Sequence, residues 1–388
     1  MSALLLPAEE AGVAAAVAEA FATGEPLAIE GAGTKRAMLR SVQAARTLST
    51  RALSGITLYR PKELVISARA GTPLAEVEAA LAAEGQMLIA EPPSAALWGG
   101  GAPTLGGVVA ANLSGPRRIS GGAMRDHVLG IRFVNGQGEV LRSGGRVLKN
   151  VTGLDLCKLL AGSHGTLGVL TEITLKVLPR PETAATLVIR VADAAAGVRV
   201  LSAGLGSPYG VSGAAVVPDA LEGPVALLRI EDFRSFVAYR VERLRADLAA
   251  FSDSRIADAE ETAALWAAIR DGGPLAARPD EAVWRVSVKP TEGPGVLAAL
   301  REAGLRGYLD WGGGLVWLAG CATEAAHAAV MAAARSGSFT LLRAPDALRA
   351  AVPAIPEEPP PLAALSRRVK AAFDPKGVLN PGRMRAGQ

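Results

Sequence analysis

The sequence predicts an α+β protein of two domains, and three observations predict it. Short apolar runs of strand length alternate with glycine-rich turns through residues 26–181. The pair Pro179 and Pro181 then breaks the chain, and the rhythm beyond it changes. Residues 283–343 read as strand–helix–strand twice over, the order of an antiparallel sheet backed by helices on one face. With 388 residues, half of them apolar, the chain can build more than one substantial core. The expected division is a first domain at 1–181, a smaller α+β domain at 182–351, and a proline linker with a C-terminal segment at 352–388.

Taken in order, residues 8–22 set Ala and Val against Glu at helical spacing, which predicts a helix ending near Gly24. "PLAIEGAGTKRAML" follows, a strand over 26–30 and then a tight Gly-Ala-Gly-Thr loop. In "ELVISARAGTPLAEVEAALAAEGQMLIAEPP", Leu64, Ile66 and Ala68 alternate with residues expected to be exposed. Thr72 is placed to cap a helix carrying Leu74, Val77 and Leu81 on one face. "HVLGIRFVNGQGEVLRSGG" reads as two strands joined by an Asn-Gly turn at 135–136. "GLDLCKLLAGSHGTLGVLTEITLKVLPRP" predicts a short helix, a glycine-rich turn, and a strand with Ile173, Leu175 and Val177 opposite Thr174 and Lys176.

In the second half, strands are expected at 186–191, 213–217, 225–231, 283–289, 307–311, 314–319 and 338–343. Helices are expected at 233–251, 261–270, 294–303 and 323–335. "VPAIPEEPPP" is a stiff linker, and a last helix over 362–373 leads into "FDPKGVLNPGRM".

Composition excludes several classes. The formal net charge is only +4, basic residues come in pairs such as Arg117-Arg118, and aromatics make up 4%, which speaks against nucleic-acid binding. The two cysteines, Cys157 and Cys321, form neither a metal spacing nor a disulfide framework and suit a reducing compartment; both are expected to be buried. The opening "MSALLLPAEEAG" lacks a basic start and does not read as a signal peptide, and no apolar run is long enough to cross a bilayer. A cytoplasmic protein is expected.

Three loops carry the chemistry. "EGAGTK" turns several backbone N–H groups toward one point after a strand, as a phosphate site requires, but it is neither a Walker A loop nor a Rossmann fingerprint. "GGGAPTLGGVVAANLSG" is uncharged across 99–116, so its backbone can approach a ligand closely, with Thr104, Asn112 and Ser114 as polar groups. "AGSHGTLGVLTE" is a third glycine turn at a strand start. Together the loops suit an extended ligand with a diphosphate and flat rings.

In this order, and with "FDPKGVLNPGRM" at the C-terminus, the loops resemble the vanillyl-alcohol-oxidase (PCMH-type) FAD-binding superfamily. The segments "EPPSAALWGGGAPTLGGVVAANLSGPRRISGGAMRDHVLG", "GGRVLKNVTGLDL" and "GVLTEITLKVLP" are similar to those of FAD-binding subunits of bacterial glycolate oxidases. The likeness covers nearly all of residues 26–181 and the last dozen or so residues; 186–345 is generic. It implies a two-part FAD-binding domain over 1–181, a cap or substrate domain over 182–351, and a C-terminal segment returning to the first domain. It implies diphosphate contacts at Gly31, Ala32, Gly33, Thr34 and Lys35. Thr104, Gly106 and Gly107 would run along the cofactor, with Ala110, Asn112 and Ser114 near it. Gly122, Val128 and Val169 would follow, and Asn380 and Gly382 would fold back beside the flavin.

The resemblance further implies oxidation of glycolate to glyoxylate in a complex with a catalytic flavoprotein subunit and an iron–sulfur subunit. Any contact with the inner face of a membrane would then run through those partners. A self-sufficient FAD-dependent 2-hydroxy acid or alcohol oxidoreductase, and a scaffold whose flavin is not catalytic, are the alternatives. Some relatives attach flavin through a His in the first loop; Thr34-Lys35-Arg36 stands there here, so non-covalent FAD is expected. No metal is expected: His127 reads as structural, His327 as a lone surface residue, and His164 as turn filler or a ligand contact. Arg117 and Arg118 read as a solvated corner, a carboxylate clamp or an interface ion pair. No catalytic residue is assigned.

Overall fold

A computed structural model describes residues 3–98, 100–146, 153–220 and 223–387. The segment "GGRVLKNVTGLDL" therefore lies partly outside the described residues. The chain separates into two compact units: residues 1–114, 123–180 and 357–388, and residues 115–122 with 181–356. The short insert 115–122 thus groups with the second half of the chain.

In the first unit, Val13, Val17 and Ala20 line one side of helix Glu10–Thr23 and are fully buried. Gly24 stops the helix in a left-handed conformation, φ 75°, its N–H donating to the Ala20 carbonyl at 2.8 Å. The helix packs on Leu27, Leu48, Val134 and Val169, and on Val378 and Leu379 from the far end of the chain. Strand Leu27–Glu30 runs parallel to Arg46–Ser49, which pairs on its other side with Ala3–Leu5.

The larger sheet of this unit is antiparallel, in the order Ile56–Arg60, Val65–Arg69, Val169–Lys176, Val128–Val134, Val140–Gly144. Strands Val65–Arg69 and Val169–Lys176 are largely buried on both faces, so the expected exposed alternation fails there. Ser67 and Thr174 are buried and bond to each other at 2.8 Å, which satisfies both hydroxyls without water. Leu64 lies outside the strand at φ 56°.

Two turn expectations are corrected. The 128–144 hairpin exists, but its loop spans residues 135–139: the Asn135 carboxamide oxygen accepts from the Gln137 and Glu139 N–H groups at 3.0 Å. Gly138, at φ 87°, supplies the left-handed residue, while Gly136 is small because any Cβ would collide with Asp374. Thr72 does not cap helix Leu74–Ala83, since Pro73 takes the cap position; its hydroxyl bonds the Arg69 carbonyl at 2.7 Å.

The second unit holds an eight-stranded antiparallel sheet, ordered Ser254–Ala257, Thr183–Arg190, Val225–Asp232, Val211–Val217, Arg306–Asp310, Leu315–Cys321, Glu281–Ser287, Ser338–Arg343. Register makes its two faces chemically different. Leu228 and Val216 meet glycines of helix Ala194–Leu205, and Trp284 reaches His327 on helix Glu324–Ala333. The alternate positions Arg229, Tyr308, Trp317 and Arg285 share the opposite face, where helix Ala259–Arg270 sets Trp266 over Gly213 and Arg229. Helix Ala194–Leu205 and strand Ser254–Ala257 were not anticipated.

Candidate functional site

Strand Leu27–Glu30 delivers the chain into Gly31–Lys35, with Gly33 at φ 74°. Gly31 abuts the Thr104 hydroxyl so closely that no Cβ fits, which joins the first loop to the second. Arg36 is tied back to Glu30 by two hydrogen bonds, at 2.7 and 2.5 Å. Lys35 sits 3.3 Å from the Thr34 hydroxyl and 5.3 Å from the Trp98 ring centre, and burial lowers its ammonium pKa to about 8.

Thr104 opens the short helix Leu105–Ala110, its hydroxyl accepting from the Gly107 N–H at 3.3 Å. Leu105, Gly106, Val108 and Val109 face the core, leaving Gly107 and Ala110 partly open. Gly106 is there for packing: its N–H donates to the Ala70 carbonyl at 2.8 Å, and a Cβ would lie 2.7 Å from that of Ala70. Gly107 is looser, its nearest neighbour being the Thr104 hydroxyl at 3.3 Å. The third loop ties to the end of this helix through Gly162 N–H to the Val109 carbonyl and His164 N–H to the Ala110 carbonyl, at 3.2 and 2.9 Å.

His164 adopts φ 53°, and burial, then the charges of Arg383 and Lys35, push its pKa down to about 3. It is neutral at physiological pH. Asn112, at φ 47°, accepts from the Arg125 N–H, and the Ser114 hydroxyl accepts from the Met124 N–H, at 3.0 and 2.9 Å. Val128 and Val169 bury their side chains in the core, which leaves main chain to meet a ligand. Gly122, at φ 89°, belongs to the second unit.

The C-terminal segment closes the first unit. Asn380 accepts from the Ile29 N–H at 2.7 Å and donates to the His164 carbonyl at 2.8 Å. Arg383 donates to the carbonyls of Lys35 and Arg40 at 2.7 and 3.1 Å, clamping the first loop, and Gly382 beside it has φ 73°. Lys370 and Asp374 hold one another at 2.6 Å; Asp374 also accepts from the Val378 and Leu379 N–H groups. Trp98, Lys370, Asp374 and Arg383 were missed in the sequence; for Asp374 and Arg383 the pattern in "FDPKGVLNPGRM" was the one signal.

The arrangement is a cradle of main chain from three loops, with a half-buried lysine and a nearby guanidinium. Such a donor set fits the diphosphate of a dinucleotide.

The second unit accounts for other candidates. Arg117 pairs with Glu231 through two hydrogen bonds at 3.1 and 2.9 Å, so it belongs to an internal ion pair and not to a solvated corner. Buried Arg229 joins from the other side, its Nε 3.2 Å from Glu231. Burial opposes ionisation of Glu231, but Arg229 and Arg117 outweigh it and hold the carboxyl at about 2. Arg118 stacks on Trp311 at 4.5 Å. His327 is buried, not on the surface: Trp284 Nε1 donates to its Nδ1 at 3.2 Å. Cys321 is exposed, while Cys157 is buried. Among the described residues no cluster of His, Cys, Asp or Glu could hold a metal, and no helix is long and apolar enough to cross a membrane.

The description "FAD binding domain" matches residues 1–144, and "FAD linked oxidases, C-terminal domain" matches residues 353–384. The fold is that of p-cresol methylhydroxylase, at TM-score 0.72 and 13% identity over 99% of this chain and 88% of that one. Alkyldihydroxyacetonephosphate synthase gives TM-score 0.68 and 17% identity over 97% and 76%. Fold and cradle thus define an FAD-dependent oxidoreductase of the PCMH type, with FAD as its cofactor. Glycolate oxidase subunit GlcE of Escherichia coli K12 is 37% identical over 371 residues, 95% of each chain. Glycolate oxidase subunit GlcD of Bacillus subtilis is 36% identical over 132 residues, 34% of this chain and 27% of that one. The chain belongs to the family of the glycolate oxidase subunit GlcE.

Proposed function

We propose that this chain is the FAD-binding subunit of a glycolate oxidase complex that converts glycolate to glyoxylate with a GlcD-like flavoprotein and an iron–sulfur subunit. The full-length likeness to a GlcE subunit is the observation that supports this most. Bound FAD would supply a two-electron carrier for electrons that leave glycolate.

The residues of this chain would bind and shield it. Gly31–Lys35 offer main-chain donors and one ammonium to the diphosphate. Gly107, Ala110 and Asn112 form the low wall along which the rings would lie, with Thr104 and Gly106 fixing it from behind. Asn380, Gly382 and Arg383 hold the first and third loops in one geometry. Thr34-Lys35-Arg36 offers no imidazole for a covalent bond.

The histidines of this chain are poorly placed for removing a hydroxyl proton. His127 and His327 are buried, and His164 is a weak base, its pKa pushed down to about 3 by burial and by the charges of Arg383 and Lys35. This favours a division of labour in which the GlcD-like partner supplies the substrate chemistry. The test is to assay glycolate-dependent reduction of an artificial acceptor by the purified chain, alone and with its partners. Turnover only in the assembled complex is expected; full turnover by the chain alone would establish a self-sufficient oxidoreductase instead.

A further inference from the structure

The polar face of the eight-stranded sheet carries one arginine that nothing in the second unit satisfies. Arg285 lies between two indoles, 5.1 Å from the Trp311 ring centre and 5.2 Å from that of Trp317. Its Nε is shut off from solvent with no hydrogen-bond partner, and its guanidinium makes no hydrogen bond or ion pair among the described residues. The neighbouring arginines differ. Arg229 bonds Ser212 and Glu231, and Arg117 bonds Glu231. Asp310 lies close enough to favour the Arg285 charge, but its carboxylate accepts from the Trp311 N–H instead of reaching the guanidinium.

A second cation makes the imbalance worse. Arg118 stacks on the same Trp311 ring, and Trp311 is fixed by donating its Nε1 to the Gly115 carbonyl at 3.1 Å. Burial, then the charge of Arg118, lower the Arg285 pKa to about 10. A guanidinium has five donors in a planar fork; here the Nε–H is enclosed without an acceptor, which is costly, while the half-buried residue leaves its terminal nitrogens open to a ligand. The guanidinium is itself a planar fork with two indoles close by, which suits a planar two-oxygen acceptor.

We propose that Arg285, with Arg118 and Trp311, forms a binding site for the carboxylate of a small organic acid. The site lies wholly within the second unit and does not depend on which subunit of a complex oxidises glycolate.

The test uses the full-length FAD-loaded chain at constant ionic strength, titrated with glycolate, oxalate or inorganic phosphate. Calorimetry and tryptophan fluorescence report binding, since Trp311 and Trp317 flank the site. Saturable binding of glycolate or oxalate is expected, with a rise in melting temperature. Arg285→Gln should weaken binding at least about tenfold and Arg118→Gln should weaken it severalfold, because charge-assisted bidentate contacts are lost. Arg285→Lys keeps the charge without the fork and should fall between. Arg285→Gln is expected to melt no lower than wild type in the absence of anion, since it removes an enclosed Nε–H that has no acceptor; if it does not fold, Arg285→Lys and Arg118→Gln carry the test. Absence of saturable carboxylate binding, preference for phosphate, or binding unchanged in the Arg285 variants would overturn the proposal. None of these readouts measures glycolate turnover, so failure here leaves the proposed function to its own assay.

Discussion

The Asn380 side chain donates to the main-chain carbonyl of His164 across 216 residues of sequence, at 2.8 Å. The same amide accepts from the Ile29 N–H at 2.7 Å and donates to the Ile29 carbonyl at 3.2 Å. One buried amide thus fixes the distance between the first loop, the third loop and the C-terminal segment. Its φ of 46° is one that Asn tolerates better than most residues.

Asn380→Ala is therefore expected to destabilise the chain by roughly 2–3 kcal/mol, because it leaves main-chain groups of Ile29 and His164 unsatisfied. Asn380→Asp should be at least as harmful, since a carboxylate cannot donate to either carbonyl. Denaturant unfolding and FAD content after gel filtration check both. A variant as stable as wild type would show that these contacts do not hold the loops together.

Gly106 and Gly107 should respond differently to the same change. A Cβ on Gly106 would meet the Cβ and carbonyl of Ala70 at 2.7 and 2.8 Å, so Gly106→Val overpacks the core and should cost about 3 kcal/mol or more. Gly107 has room, with 3.3 Å to the Thr104 hydroxyl and 3.8 Å to Lys35 Nζ. Gly107→Val should leave the fold close to wild type and deplete FAD. Circular dichroism melts and the flavin-to-protein absorbance ratio separate the two outcomes.

The parts of the site set by local chemistry were legible in the sequence. A glycine turn after a strand marked the loop Gly31–Lys35, a glycine turn before a strand marked the loop around His164, and the stop at Gly24 lies where the periodicity ends. What escaped depends on distant partners. Arg117 stayed open between a solvated corner, a carboxylate clamp and an interface ion pair because Glu231 lies 114 positions away. His327 looked exposed because its helix pattern shows neither Trp284 nor the Phe339 ring 5.5 Å from it. Asn135-Gly136 suggested a two-residue turn, but Gly138 takes the left-handed conformation and lengthens the loop. Thr174 looked solvent-facing because one strand cannot reveal that the sheet is covered on both sides.

Lys35 is expected to make FAD affinity depend on pH. Its ammonium pKa in the free chain is about 8, below the ordinary lysine value, because burial disfavours the charge. For the free chain the unfolded state binds the proton more tightly, so stability should rise as pH goes from about 8 toward the ordinary value of about 10.4. FAD binding runs the other way, since a diphosphate favours the charged ammonium. The FAD dissociation constant should therefore be lowest below pH 8 and rise above it, and Lys35→Met should flatten the profile. Fluorescence titration of the apoprotein with FAD from pH 6.5 to 9.5 decides this.

FAD should leave the protein intact on denaturation. The first loop has no histidine, and Lys35 and Arg36 are not residues that the resemblance links to flavin attachment. Acid precipitation is expected to release all the yellow colour to the supernatant as FAD. Fluorescence that migrates with the polypeptide on a denaturing gel would contradict non-covalent binding.

The ion pair near the end of strand Val225–Asp232 is expected to make the second unit acid-sensitive. Glu231 titrates at about 2 in the folded chain because Arg229 and Arg117 overcome the burial that opposes its charge. A carboxyl whose folded pKa is depressed contributes stability above its unfolded value of about 4.3 and loses it as pH falls toward about 2. Wild type should therefore lose stability between pH 5 and pH 2 in part through this group. Glu231→Gln removes the partner of two enclosed guanidinium groups, and at neutral pH that should cost about 3 kcal/mol or more. The variant's stability should also fall less steeply on acidification, because the group that titrates is gone. Urea unfolding at pH 7, 4 and 3 measures both effects. Equal acid slopes in the two proteins would place the acid sensitivity elsewhere.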